Sequence, residues 1–201
     1  MILCDVGNTS YHFLDGKKDY KEGTETFNPE SIKGIVYYIC VNPQIKPVLE
    51  ALDNWIDISK DVCMIHYYKT MGIDRIVACE AINDGVIIDA GSAITVDVVS
   101  DGVFKGGFIY PGVNAMKKTY TDISTALDYP FNYELDIDSL PKNSRDSISY
   151  GYLKTLHSEV VSHNKDIYLT GGDSDKIAKI FPNAKINKTL IFDGMKKIIK
   201  R

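Results

Sequence analysis

The residues best equipped for chemistry are two aspartates, each closing an apolar run and preceding glycine and small polar side chains. One is Asp5 in Ile2-Leu3-Cys4-Asp5-Val6-Gly7-Asn8-Thr9; the other is Asp89 in Val86-Ile87-Ile88-Asp89-Ala90-Gly91-Ser92-Ala93. An apolar run reads as a buried strand, and Asp-x-Gly followed by Asn, Ser or Thr reads as a tight turn. Such a turn directs amide N–H groups outward, and glycine lets oxygens approach the backbone, which is what a polyphosphate requires. Either copy alone is equally well explained as an ordinary hairpin, but two copies could grip one nucleotide tail from both sides. A carboxylate about 4 Å from a phosphate charge is repelled by about 4 kcal/mol at an effective dielectric of about 20, so Asp5 and Asp89 need cations or bridging waters. Two further segments are candidates. Gly72-Ile73-Asp74-Arg75 taken alone reads as a helix start, with Asp74 at the positive end of the helix dipole. Thr170-Gly171-Gly172-Asp173 is a glycine-bearing strand-to-helix turn of the kind that receives phosphate, although α/β folds use glycine there routinely.

These turns need strands and helices to hold them. With 201 residues and 44% hydrophobic content, the chain can bury a core, and it is read as two similar halves, 1–84 and 85–201. The net charge of −4, with Lys196, Lys197, Lys200 and Arg201 as the one basic cluster, argues against a nucleic-acid partner and for the solvated face of a last helix. No apolar run approaches the roughly 18 residues of a membrane span, and no basic segment precedes a signal-like stretch, so a cytoplasmic protein is expected. Cys4, Cys40, Cys63 and Cys79 lie far apart in or beside apolar runs and are expected to be buried free thiols. The four histidines are scattered, and no zinc site can be argued.

Along the chain, 32–41 reads as strand up to Asn42-Pro43, 47–55 has helical spacing, 62–67 reads as strand, and a helix begins near Ile73. In the second half, 93–99 and 103–109 read as strands joined at Asp101-Gly102, with Asp97 and Asp101 as turn or strand-end residues. A helix over 113–127, a long polar loop over 128–146, a helix over 148–161, a strand over 166–169 and a helix through Ile180 follow. A loop of that length is a place for substrate contacts.

The motifs in order, Asp5-Val6-Gly7-Asn8-Thr9, Gly72-Ile73-Asp74-Arg75, Asp89-Ala90-Gly91-Ser92-Ala93-Ile94-Thr95-Val96-Asp97, Gly106-Gly107-Phe108-Ile109-Tyr110-Pro111-Gly112 and Thr170-Gly171-Gly172, resemble type III pantothenate kinase over nearly the whole chain. The resemblance implies an α/β fold of the acetate and sugar kinase, heat-shock chaperone and actin superfamily: two ribonuclease-H-like halves with mixed sheets and ATP in the cleft between them. It implies that Asp5, Val6, Gly7, Asn8, Thr9, Ser10, Tyr11 and His12 cradle ATP, Asp5 through hydrated Mg²⁺, with Ser92 binding phosphate from the facing turn. Asp89 then holds a monovalent cation, K⁺ or NH₄⁺, and Asp74 is the base for the pantothenate hydroxyl. Tyr68, Gly72, Ile73, Arg75 and Ser144 complete the pantothenate pocket, with Arg75 as a fork for the acid's carboxylate. A homodimer is also implied.

Three positions depart from the family pattern. Lys is usual three residues after the first-turn Thr, and His12 stands there; Ser92 replaces Thr in the second turn; Ser144-Arg145-Asp146 replaces Thr-Arg-Asp. Both serines keep the hydroxyl. The missing Lys keeps open a non-catalytic regulator, since a related transcriptional accessory protein shares these motifs. A kinase or phosphatase of the same superfamily with another substrate is the second alternative.

Overall fold

The apolar runs that end at Asp5 and Asp89 become the central strands of two five-stranded sheets. The computed structural model describes residues 1–201, and they form two compact units, Met1–Ile82 with Thr189–Arg201, and Asn83–Lys188. The compact units differ from the expected halves in two respects: the boundary falls at 82/83, and the last helix packs with the first unit.

In the first unit, β1 (Ile2–Val6) runs antiparallel to β2 (Ser10–Asp15), which pairs antiparallel with β3 (Lys18–Gly23). On its other side β1 runs parallel to β4 (Val36–Cys40), and β4 parallel to β5 (Trp55–Asp57). The second unit repeats this wiring strand for strand. There β6 (Gly85–Ala90) is antiparallel to β7 (Ala93–Ser100), and β7 to β8 (Val103–Pro111). On the far side β6 is parallel to β9 (Ile167–Thr170), and β9 to β10 (Lys185–Ile186). The sheet orders are β3-β2-β1-β4-β5 and β10-β9-β6-β7-β8. The expected pair of mixed-sheet halves is what the chain builds.

Alternation places the side chains. Cys4 and Val6 of β1 with Tyr11 and Phe13 of β2 enter an apolar cluster that also holds Val36, Tyr38, Leu49 and Trp55. The intervening Asp5 and His12 face the other side of the sheet. In the second unit Val86, Ile88 and Ala90 of β6 pack with Ile94, Val96 and Val98 of β7 and with Ile148, Tyr152, Leu153 and Leu156 of a helix.

Several elements differ from the sequence reading. Helix α1 is only Lys46–Glu50, and Trp55, which had helical spacing, belongs to β5. Its indole ring fills the first core, and its Nε1 donates to the Pro29 carbonyl at 3.3 Å. The sheet edge beside β4 is thus occupied by 55–57, and the expected strand over 62–67 is replaced by a 3₁₀ turn at Met64–His66. Cys63 in that stretch is exposed, unlike buried Cys4, Cys40 and Cys79. Helix α2 spans Ile73–Ala81. Helix α3 (Val113–Ile123) stops short of 127, because Ser124 caps a separate 3₁₀ turn, accepting from Ala126 N at 3.2 Å. Helix α4 (Ser144–Ser162) begins four residues earlier than expected, since Asn143 caps it by accepting from Asp146 N at 2.9 Å. Asp97 is not at a turn: it lies mid-strand in β7 and is 1% exposed. Helix α5 is Ser174–Ile177, and α6 is Leu190–Ile199, whose buried Phe192, Met195 and Ile198 sit opposite a lysine-bearing face.

Candidate active site

The turn after β1 is closed by Gly7 N donating to the Ser10 carbonyl at 3.0 Å, which leaves Asn8 and Thr9 exposed at its tip. A cavity of about 230 Å³ opens beside it, lined by Asn8, Thr9, Gly23, Thr24, Glu25 and Thr26. All of the expected ATP-binding residues of the first unit lie on this one hairpin. Val6 and Tyr11 point into the core, 0% and 2% exposed, so they can meet a nucleotide only through their backbone.

His12 stands opposite Asp5 in the β1–β2 register. Its Nε2 lies 2.7 Å from Asp19 Oδ1, and its ring meets Phe192 edge-on, 4.7 Å between centroids. Burial lowers the imidazole pKa, and the hydrogen bond to Asp19 only partly opposes this. Burial thus disfavours the charged ring, while the Asp19 carboxylate at Nε2 favours it. His12 therefore lacks the fixed positive charge of the family Lys.

The second cluster of the unit surrounds the start of α2. Gly72 is the extended residue before the helix, and Asp74 lies in the first turn, where its Oδ1 accepts from Arg75 N at 2.8 Å. The carboxylate folds back over Gly72, so that a Cβ there would sit 2.4 Å from Asp74 Oδ1. Arg75 is buried, 6% exposed, and its Nη1 donates to the Tyr68 hydroxyl at 2.8 Å. The two neighbouring tyrosines thus separate: Tyr68 meets Arg75, whereas Tyr67 donates to Glu80 Oε1 at 2.9 Å. Burial, with the Glu80 carboxylate, raises the Tyr67 pKa well above its ordinary value. A buried guanidinium beside a helix-start carboxylate can hold an anionic group while the carboxylate takes a proton.

The second unit carries the other Asp-x-Gly turn, closed by Gly91 N donating to the Ala93 carbonyl at 3.0 Å. Ser92 is exposed at its tip. Gly112, just beyond β8, packs on the back of this turn so closely that a Cβ would lie 2.2 Å from the Ser92 carbonyl oxygen. Asp89 stands in register with Thr95 of β7 and Thr170 of β9, so three oxygen-bearing side chains share one face. The strand-to-helix turn bends over it, with Gly171 at φ +86°, where a Cβ would lie 2.4 Å from Asp89 Oδ1. An oxygen-only donor set suits a hard cation.

Ser144 is the exposed first residue of α4. Asp146 beside it accepts from Asn132 Nδ2 at 2.8 Å and from Asn143 Nδ2 at 2.7 Å. Those two bonds, Asn132 first, hold its carboxyl pKa below the usual range. Asn132 N also donates to Ser149 Oγ at 2.8 Å, which pins the polar loop to α4.

Residues 31–163 match the family model described as type III pantothenate kinase. A protein of that name from Sulfurimonas denitrificans is 59% identical, covering 100% of this chain and 98% of its own length. Another from Campylobacter jejuni is 41% identical over 100% of this chain and 97% of its own. The chain belongs to the type III pantothenate kinase family. Among solved structures, a Campylobacter jejuni protein titled a conserved putative Baf family transcriptional activator superposes with TM-score 0.90 at 40% identity, covering 100% of this chain and 98% of that one. MreB 5 of Spiroplasma citri, at TM-score 0.50 and 13% identity, is similar in fold alone. For a pantothenate kinase family member, the sequence reading missed the residues that back its turns. Thr24 and Asn42 donate to the Asn8 carbonyl, and Ser149 Oγ accepts from the Asn132 N–H, from positions distant in sequence, and only the break at Asn42-Pro43 hinted at one of them.

Proposed function

We propose that the protein is an ATP-dependent kinase that phosphorylates the primary hydroxyl of pantothenate, the first step toward coenzyme A. The observation that carries this reading is the pairing of Asp74 with buried Arg75 and its Tyr68 partner, a carboxylate base beside an anion fork, as a hydroxy acid requires. Arg75 and Tyr68 bind the acid's carboxylate, with Ile73 beside them; Ser144 of the second unit is a further candidate substrate contact. Asp74 accepts the hydroxyl proton as the oxygen bonds to the γ-phosphorus; the bond from that phosphorus to the β–γ bridging oxygen breaks, and ADP carries away the electron pair. Phosphoryl transfer depends chiefly on position and charge neutralisation, so Asp74 contributes mainly by orienting the nucleophile.

The turn amides at Gly7, Asn8 and Thr9 are the phosphate donors of the first unit, and the Ser92 hydroxyl is the candidate phosphate donor of the second. Asp5 would hold Mg²⁺ through water, and Asp89, with the Thr95 and Thr170 oxygens on its face, would hold K⁺ or NH₄⁺; bound there, the ions neutralise phosphate charge. The reading includes a homodimer in the cytoplasm and no nucleic-acid or membrane partner. No helix is long and apolar enough to cross a membrane.

The absence of the family Lys at His12 favours one second reading, a nucleotide-binding regulator without turnover. A coupled ADP-release assay with pantothenate against a panel of hydroxyl acceptors, with and without K⁺, decides between them. Pantothenate-dependent ADP release supports the kinase. ATP binding without release for any acceptor supports the regulator.

A further inference from the structure

The turn after β1 is held from behind by two residues far from it in sequence. The Asn8 carbonyl accepts from Asn42 Nδ2 at 3.4 Å and from Thr24 Oγ1 at 3.4 Å. The Thr9 carbonyl accepts from Thr24 N at 3.1 Å. Asn42 is buried, and its Oδ1 accepts from Gln44 N at 2.9 Å and Ile45 N at 3.2 Å. Its amide is thereby fixed in one orientation, with the nitrogen toward Asn8. Asn42 immediately follows the Val41 peptide, whose N–H donates to the Val6 carbonyl at 3.0 Å, so the parallel β1–β4 pairing delivers it to the back of the turn.

A trans peptide unit is planar, and its C=O and N–H point in opposite directions. Pinning the Asn8 carbonyl toward Asn42 and Thr24 therefore aims the Thr9 N–H the other way. Without those two donors the Asn8–Thr9 peptide is free to flip between the Gly7–Ser10 closure and the strand start, and its N–H loses direction. Resting on the kinase reading, we propose that Asn42 and Thr24 are positioning residues for phosphate binding, which act through the Asn8 carbonyl to hold the Thr9 N–H at the nucleotide.

Two near-isosteric variants separate this role from a merely structural one. Asn42→Asp keeps the oxygen that accepts from Gln44 and Ile45 but removes the donor to Asn8 and sets a carboxylate against its carbonyl. Thr24→Val removes only the hydroxyl, and Thr24→Ser restores it. ATP affinity is read by calorimetry without turnover, and both KM values by ADP release. Thr24→Val is expected to weaken ATP binding and raise the ATP KM by about fivefold, Asn42→Asp by about tenfold or more, with the pantothenate KM within about twofold and Thr24→Ser near the parent. ATP affinity unchanged in both variants, or both KM values rising together, overturns the proposal. If Asn42→Asp does not fold, the Thr24 pair carries the test alone. A parent that binds ATP but phosphorylates no acceptor refutes the kinase reading while the calorimetric comparison still decides the positioning role; a parent that binds no ATP overturns both.

Discussion

Replacing Gly194 by alanine tests the packing that carries the Asp74 segment. Helix α6 crosses α2 so closely that a Cβ at 194 would lie 1.9 Å from the Val77 carbonyl oxygen, 2.9 Å from its carbonyl carbon and 3.0 Å from Val77 Cγ1. Carbon and carbonyl oxygen rest at no less than about 3.3 Å, so the helices must part by roughly 1.4 Å at this point. The obstacle is backbone and cannot rotate away. Both helices are buried around the crossing, with Ile76, Val77, Ala78 and Cys79 on α2 and Leu190, Ile191, Phe192 and Met195 on α6, so a shift of this size strips contacts along the pair. Overpacking of this kind costs about 3 kcal/mol, and the helix propensity gained by alanine returns about 1 kcal/mol.

A net loss of about 2 kcal/mol lowers the melting temperature of a chain this long by about 4–8 °C, which circular dichroism resolves. Gly151→Ala is the control. It lies within α4, where the nearest atom to a new Cβ is the Tyr120 hydroxyl at 4.0 Å, so only the propensity gain of about 0.5–1 kcal/mol applies and the melting temperature should rise. A Gly194→Ala protein that melts at or above the parent, or a Gly151→Ala protein that falls equally, refutes the argument.

Asp74→Asn should keep the short contact to Arg75 N through its amide oxygen and leave ATP binding intact, yet lower kcat at least about a hundredfold; steady-state rates within a few-fold of the parent remove Asp74 from the chemistry. Gly171→Ala forces a side chain into a positive-φ position 2.4 Å from Asp89 Oδ1, so the stimulation of ADP release by K⁺, about tenfold or more in the parent, should vanish in it as in Asp89→Asn; a full K⁺ response in Gly171→Ala, or a parent fully active without K⁺ and NH₄⁺, refutes the cation site. Because burial lowers the His12 pKa below its unfolded value of about 6.5, the unfolded chain binds the extra proton more readily, so His12 lowers stability as pH falls through the window beneath about 6.5 and has no effect above it. His12→Gln should flatten that part of the stability profile, and ATP affinity should stay level between about pH 7 and 8; a fall in affinity across that range in the parent alone shows an imidazolium on the phosphates.

What could be read in the chain was local. Ile2–Asp5 and Val86–Asp89 declare themselves because apolar runs, acidic ends and glycine turns lie within eight residues, and the pairings that repeat around them follow from that duplicated start. Polar β3 was illegible, since an edge strand with one core contact, Tyr20 stacked 5.1 Å from Phe13, needs no apolar alternation. The stretch 62–67 looked like a strand by composition and lost that place to Trp55–Asp57, whose indole ring the aromatic cluster of Tyr11, Phe13 and Tyr38 requires. Residue type also announced the chemistry at Asp74 and Asp89 but not the supports: Asn42 reaches Asn8 across 34 positions and Asn132 reaches Asp146 across 14. A turn motif specifies which atoms are offered to a ligand, whereas the direction of each amide is set by whatever holds the carbonyl behind it. In this chain those holders are single polar side chains at strand ends and loops, with no spacing of their own to betray them. The same division applies to His12, whose surroundings come from distant elements: Asp19, which favours the charged ring, lies on a strand the sequence hides, and Phe192, against which the ring packs, lies on the last helix.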